Sequence, residues 1–232
     1  HGMAPGTFSS NYPGSDIRHA ALFHIHGMQF MQAAVLAQEQ GYDAYAISTL
    51  PDPALREIRA LIDIPVIGYG ESAMMTACML GRKFSILCFI EDFNELLDHN
   101  VSNYGLSSRY AGAAPVGFTF QDVLKAFNDP APLIERFKMS ARRLIAQGAD
   151  VIIPGEAPMN VLLAANGVTE VDGVTVIDSL GTWIKQAEMM VDLRKTCGTK
   201  PSRKGFYHRL PELARTKEIF AFYGLDKRQP GT

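Results

Sequence analysis

The sequence predicts an α/β protein of two pseudo-symmetric lobes, each a mainly parallel sheet flanked by helices, with an active site in the cleft between them. Three observations lead there. Short apolar runs alternate with amphipathic segments along the chain, as they do when parallel strands are joined by helical crossovers. Glycines stand at 41, 81, 105 and 148, where the helices of that alternation should stop. The stretch GYDAYAISTLP (41–51) also lines up without gaps on GADVIIPGEAP (148–158), pairing Gly41 with Gly148, Asp43 with Asp150 and Pro51 with Pro158.

The elements follow in order. Strands are expected at 44–49, 65–69, 84–89, 110–116, 151–154 and 174–177, and helices at 19–40, 53–62, 72–80, 92–104, 120–127, 131–147, 158–165 and 180–195. Asp52-Pro53 reads as an N-cap and first-turn proline for the helix that follows it. Residues 1–18 read as an irregular loop, because APGTFSSNYPGSDIRH has Pro, Gly, Ser and Asn at turn density. The lobes are then 19–105 and 106–196, one helix crossing back to the first, with a C-terminal extension at 197–232. From Lys200 onward, eight Lys/Arg against three Asp/Glu leave a local excess of five positive charges. Leu213, Ile219, Phe220, Phe222 and Tyr223 in that extension need cover, from this chain's core or from another subunit.

Composition limits the function classes. A 232-residue chain with 47% hydrophobic and 20% charged residues is that of an ordinary globular protein. Its formal net charge of −2 gives no electrostatic pull toward nucleic acid or an anionic membrane. No apolar run approaches the roughly 18 residues of a membrane span, and no basic-then-apolar leader is visible, so a cytoplasmic protein is expected. Cys78, Cys88 and Cys197 form no Cys-x-x-Cys pair, which argues against a disulfide framework or zinc knuckle. Cys78 and Cys88 are expected to be buried and inert.

The repeat singles out one carboxylate. On its register Thr49 falls opposite Glu156, and DIPVIGYGES (63–72) parallels GVTVIDSLGT (173–182). Each position follows a strand and precedes a helix, where open α/β sheets bind ligands and free helix N–H groups favour an anionic group. Glu156 sits among Ile152, Ile153, Pro154, Pro158 and Met159, surroundings that would raise a carboxyl pKa and suit a general acid or base. The alternative is a Glu that merely caps the next helix.

These stretches resemble the aspartate/glutamate/hydantoin racemase superfamily, which also holds maleate isomerases and arylmalonate decarboxylases. The resemblance covers roughly residues 40–195. It rests on GYDAYAISTLPDPALREIRALIDIPVIGYGESAMMTACMLGRKFSIL for one lobe and on GADVIIPGEAPMN with VIDSLGTWIKQAEMMVDL for the other. It implies the two-lobed fold and proton transfer at a carbon next to a carbonyl. The superfamily's racemases use one cysteine from each lobe, and the resemblance puts Thr49 and Glu156 at those two places. Two-thiol racemisation is therefore not expected. SSNYPG (9–14) could stand in for the superfamily's N-terminal loop.

The expectation is a cofactor-independent, racemase-like isomerase acting on a small molecule that is anionic or a cyclic imide or amide. Glu156 is the general acid/base, and Thr49 is a hydrogen-bond donor to substrate oxygen, since its hydroxyl is too weakly acidic to replace a thiol. Substrate contacts are expected from Ser48, Glu71, Ser72, Ser179, Ser10, Asn11, Tyr12 and His19. Phe89 ends a strand where relatives often have a threonine, which points to a more apolar substrate or a smaller anion site. A hydrolase or decarboxylase on the same scaffold, and a ligand-binding protein on an inactive racemase fold, are the rival readings. No cofactor and no metal are expected. A metal reading through His24 and His26 needs an extended segment, since on a helix they stand about 200° apart. A homo-oligomer is expected.

Overall fold

The structure is a computed structural model, and it describes residues 14–226. The expected contacts Ser10, Asn11 and Tyr12 lie outside the described residues. In chain order the elements are α1 (Gly14–Ile17), α2 (Ala20–Glu39), β1 (Tyr45–Ile47), α3 (Leu55–Arg59), β2 (Val66–Gly68), α4 (Tyr69–Leu80), β3 (Phe84–Cys88), α5 (Phe93–Asn103) and β4 (Tyr110–Pro115). There follow α6 (Phe120–Ala126), α7 (Ala131–Ala146), β5 (Val151–Pro154), α8 (Ala157–Ala165), β6 (Glu170–Val171), β7 (Val174–Val176), α9 (Ser179–Cys197) and α10 (Leu213–Phe222). The α/β class is that expected, and the expected strands and helices occur in the expected order, with α1, β6 and α10 in addition.

The residues gather into two compact units that interleave along the chain. One holds the described residues up to Ile47, Pro53–Ile67 and those from Ala187 onward; the other holds Ser48–Asp52 and Gly68–Gln186. In the second unit the strand order is β4-β3-β5-β7-β6. β3 runs parallel to β4 and β5, and β5 parallel to β7; only β6 is antiparallel, to β7. Strand β3, counted above with the first lobe, thus lies in one sheet with β5, Phe84 opposite Val151 and Leu87 opposite Pro154. Every residue of β3 and β5 is buried, which is why both read as continuous apolar runs rather than alternating ones. Val123 of α6, Phe137 and Leu144 of α7 and Leu162 of α8 form one core with Leu87, Ile152 and Val176 of the sheet. Helix α4 packs on β5 and α5 on β4. The parallel strands put their carboxyl ends on one edge of the sheet, where the candidate residues gather.

In the first unit, β1 and β2 pair, and the Arg59 guanidinium donates to the Val66 carbonyl at 2.9 and 3.1 Å. The C-terminal extension is tied down in this unit. Arg203 donates to Arg59 O at 2.8 Å and to the Asp63 carboxylate at 2.7 Å, Arg194 reaches the same carboxylate at 2.9 Å, and Arg56 lies over the Tyr207 ring at 5.0 Å. Burial pushes the Asp63 carboxyl up, but the two guanidinium groups outweigh it and hold its pKa below the usual range.

Several sequence expectations change. The segment read as loop up to residue 18 contains a helical turn at Gly14–Ile17, and the extension forms α10. Gly41, Gly105 and Gly148 do adopt the left-handed conformation that ends a helix (φ 81°, 73° and 102°). Gly81 is extended instead (φ −154°). It is there for space, since a Cβ would come within 2.6 Å of Asp150 and Val151. Cys88 is buried as expected, but Cys78 is only half-buried, because the last turn of α4 ends at the surface with Met79 and Leu80 exposed.

Candidate active site

Asp52 is not the N-cap of the helix that follows it. The residue before α3 is Ala54, in a left-handed conformation and without a side-chain cap. The Asp52 carboxylate, itself on a left-handed residue (φ 50°), turns instead to the start of α4. It accepts from the Gly70 amide at 3.0 Å, the Glu71 amide at 2.7 Å and the Tyr104 hydroxyl at 2.8 Å. Free N–H groups at a helix start attract a carboxylate, and here it comes from a distant loop. Burial nevertheless pushes its pKa up to about 7 against those donors. The approach requires small residues: a Cβ on Gly68 would meet the Asp52 carboxylate at 2.7 Å, and one on Gly70 the Leu50 carbonyl at 2.2 Å. Thr49, half-buried, closes the same turn by accepting from the Asp52 amide at 3.1 Å.

Glu156 follows β5 and occupies the N-cap position of α8, yet its side chain makes no cap bond. The simple capping role is thereby removed. Oε1 accepts from the Phe89 amide at 3.0 Å and the Ile90 amide at 3.3 Å, at the end of β3. Oε2 is buried and without a partner. Burial pushes the Glu156 pKa up to about 8, and the two strand-end amides and its own backbone amide only moderate the rise. Gly155 lets the chain pass here, because a Cβ would lie 2.8 Å from the Leu50 side chain and 2.9 Å from the Leu87 carbonyl.

A third tie joins β5 to β7. Asn160, buried on α8, donates to Asp178 Oδ1 at 2.7 Å and accepts from the Ser179 amide at 2.8 Å. The Ser179 hydroxyl donates to the Pro154 carbonyl at 3.2 Å, and Asp178 caps α9 through the Gly181 amide at 3.0 Å. Tyr69, the first residue of α4, is fully buried beside Trp183 (ring centroids 6.4 Å). Its hydroxyl lies against that of Ser179, which gives its own proton to the Pro154 carbonyl.

The remaining candidates fall as follows. Ser72 is buried, and its hydroxyl donates to the Gly68 carbonyl at 2.6 Å within the helix start. Glu71 is half-buried and Ser48 exposed. His19 is exposed at the N-cap of α2 in the first unit, without a cap bond from its side chain. His24 and His26 both lie on helical α2, where they cannot share a face; Nε2 of His26 lies 3.8 Å from Asp16. Among the described residues, no group of three or more His, Cys, Asp or Glu is placed to hold a metal ion, and no helix is long and apolar enough to cross a membrane. Cys88 is buried at the end of β3, its pKa pushed up by burial and by the Glu156 charge, so its thiolate is disfavoured. Sequence reasoning missed Tyr69, Asn160 and the Phe89 and Ile90 amides, and it gave Asp52 to the wrong helix.

The family model for Asp/Glu/Hydantoin racemase matches residues 14–187, and the chain belongs to that family, a racemase-like isomerase by class. It is 31% identical over 188 residues to a hydantoin racemase of Pseudomonas sp. (strain NS671), covering 78% of this chain and 73% of that one. Among solved structures it is similar to allantoin racemase from Klebsiella pneumoniae, with TM-score 0.69 and 26% identity over 82% of this chain and 74% of that one. Allantoin racemase from Pseudomonas fluorescens shares the fold, with TM-score 0.70 at 23% identity over 83% of this chain and 77% of that one.

Proposed function

We propose that this protein moves a proton at the carbon next to a carbonyl of a small cyclic imide or amide, or of a carboxylate, with Glu156 as the single strong acid/base. The observation that carries this reading is the division of labour within one carboxylate. Oε1 is fixed by the Phe89 and Ile90 amides, while Oε2 is buried and unpartnered. A fixed carboxylate with one free oxygen is prepared for proton transfer at one place. The related proteins are named for racemising hydantoin and allantoin, and this supports a cyclic amide as the substrate class. In the substrate complex Thr49 donates to a substrate oxygen.

A second reading rests on the Glu156 pKa of about 8. A carboxyl protonated at neutral pH can deliver a proton to the enolate left by decarboxylation. The two are separated by incubating 5-substituted hydantoins and arylmalonates in deuterated water and following deuterium at the α-carbon together with release of CO2. Exchange without net loss of mass is the expected result. Glu156→Gln should lower it about 10²–10⁴-fold, as for other general acid/base residues; a variant with undiminished turnover would end this mechanism.

A further inference from the structure

Ser48–Asp52 belongs to the second unit, whereas the residues on either side of it, up to Ile47 and from Pro53, belong to the first. A five-residue segment that parts from its chain neighbours needs attachments of its own. Most come from Asp52, whose Oδ1 accepts from the Gly70 amide at 3.0 Å. Its Oδ2 accepts from the Glu71 amide at 2.7 Å and from the Tyr104 hydroxyl at 2.8 Å. Asn100, one helical turn before Tyr104 and so on the same face, donates to the Pro51 carbonyl at 2.9 Å. The Asp52 amide closes the turn onto the Thr49 carbonyl at 3.1 Å. Leu50 is buried, with a methyl group 2.8 Å from where a Cβ on Gly155, the neighbour of Glu156, would stand. The backbone is strained to reach these partners: Asp52 (φ 50°) and Ala54 (φ 55°) are left-handed without being glycine. Such residues persist only where their surroundings over-determine them, and they gather at functional sites. Leu50, Pro51 and Asp52 are buried, while Thr49 keeps part of its surface accessible.

We propose that Asp52 is a positioning residue of the proton-transfer site, fixing the Thr49 hydroxyl for its hydrogen bond to substrate by anchoring the 49–52 turn on the start of α4 and the end of α5. This rests on the reading of Glu156 and Thr49 given above. Asp52 is itself buried, so it acts through Thr49 and not on the substrate. A donor on a loose loop must be ordered anew for each turnover, whereas one on an anchored turn is already in place. Displacement of such a group by about 1 Å lowers the rate on the order of 10²-fold.

The test is a double-mutant cycle between Asp52→Asn and Thr49→Val, read as kcat and KM for α-hydrogen exchange of a 5-substituted hydantoin in deuterated water. Asp52→Asn keeps the shape but leaves one acceptor oxygen for two helix amides. It should lower kcat about 10²-fold, and by about twofold or less once Thr49 is already Val, because residues acting at one point are not additive. An equal fall in both backgrounds marks a purely structural role and overturns the proposal, as does an undiminished kcat. Should Asp52→Asn fail to fold, Tyr104→Phe replaces it in the cycle, with a fall of about fivefold that again depends on Thr49. If wild type shows no exchange, the Glu156 reading fails instead, and amide hydrogen exchange tests the anchoring by itself. The amide at position 52, which closes the turn onto Thr49, should then lose about tenfold or more of its protection in the variant while β3 and β5 keep theirs. Unchanged protection there, or an equal loss throughout the sheet, overturns the role.

Discussion

Glu156 Oε1 lies 3.0 Å from the amide nitrogen of Phe89, so the carboxylate is held by the end of a neighbouring strand and not by the helix it precedes. Parallel pairing of β3 with β5, with Leu87 opposite Pro154, brings the two strand ends level and makes this contact possible. The helix start is left to its own backbone, while the second carboxylate oxygen is buried without a partner.

That placement sets the pH dependence of activity. With the Glu156 pKa near 8, a base mechanism needs the ionised minority at neutral pH. Measured as kcat/KM for α-hydrogen exchange, the rate should rise about tenfold per pH unit below 8 and level off above it. A rate that falls through pH 8 would instead mark Glu156 as the proton donor of the decarboxylation reading.

Stability should move the other way. Burial raises Glu156 from 4.5 to about 8 and Asp52 from 3.8 to about 7. Between those values the folded protein binds more protons than the unfolded chain, so stability is greatest below the unfolded values and declines as pH rises toward 8. Urea midpoints should be higher at pH 5 than at pH 8, and Glu156→Gln should flatten the slope. Parallel curves for wild type and variant would show that Glu156 is not protonated on folding.

The Asp52–Tyr104 contact makes a separate forecast. Tyr104→Phe removes the 2.8 Å bond to a buried carboxylate and should cost about 1–3 kcal/mol of unfolding free energy, the range for hydrogen bonds to charged groups. The loss should be larger at pH 8 than at pH 5, because the hydroxyl favours the ionised form. Chemical denaturation at the two pH values checks this, and an equal loss at both would mean that Asp52 does not change its protonation state between them.

Much of this was legible in the residues. Strands β3 and β5 announced themselves as unbroken apolar runs, and the internal register between 41–51 and 148–158 drew attention to Glu156 before any fold was known. What stayed hidden depends on groups far apart in sequence. The capping rule looks a few residues ahead, so it assigned Asp52 to the next helix, whereas the amides it serves are those of Gly70 and Glu71. Backbone donors such as those of Phe89 and Ile90 have no side-chain signature at all. Tyr69 after an apolar strand reads as core, which it is.

The interleaving of the two units bears on how the chain is made. Every residue of the second unit has been synthesised by Gln186, whereas the first unit begins before it and needs residues from Ala187 onward. At 5–20 residues per second, the early helix α2 and its neighbours wait on the order of ten seconds for their last partners to leave the ribosome. A newborn chain therefore has its five-stranded sheet available while its first segments are still unfinished, and those first segments are where a chaperone would find most to hold.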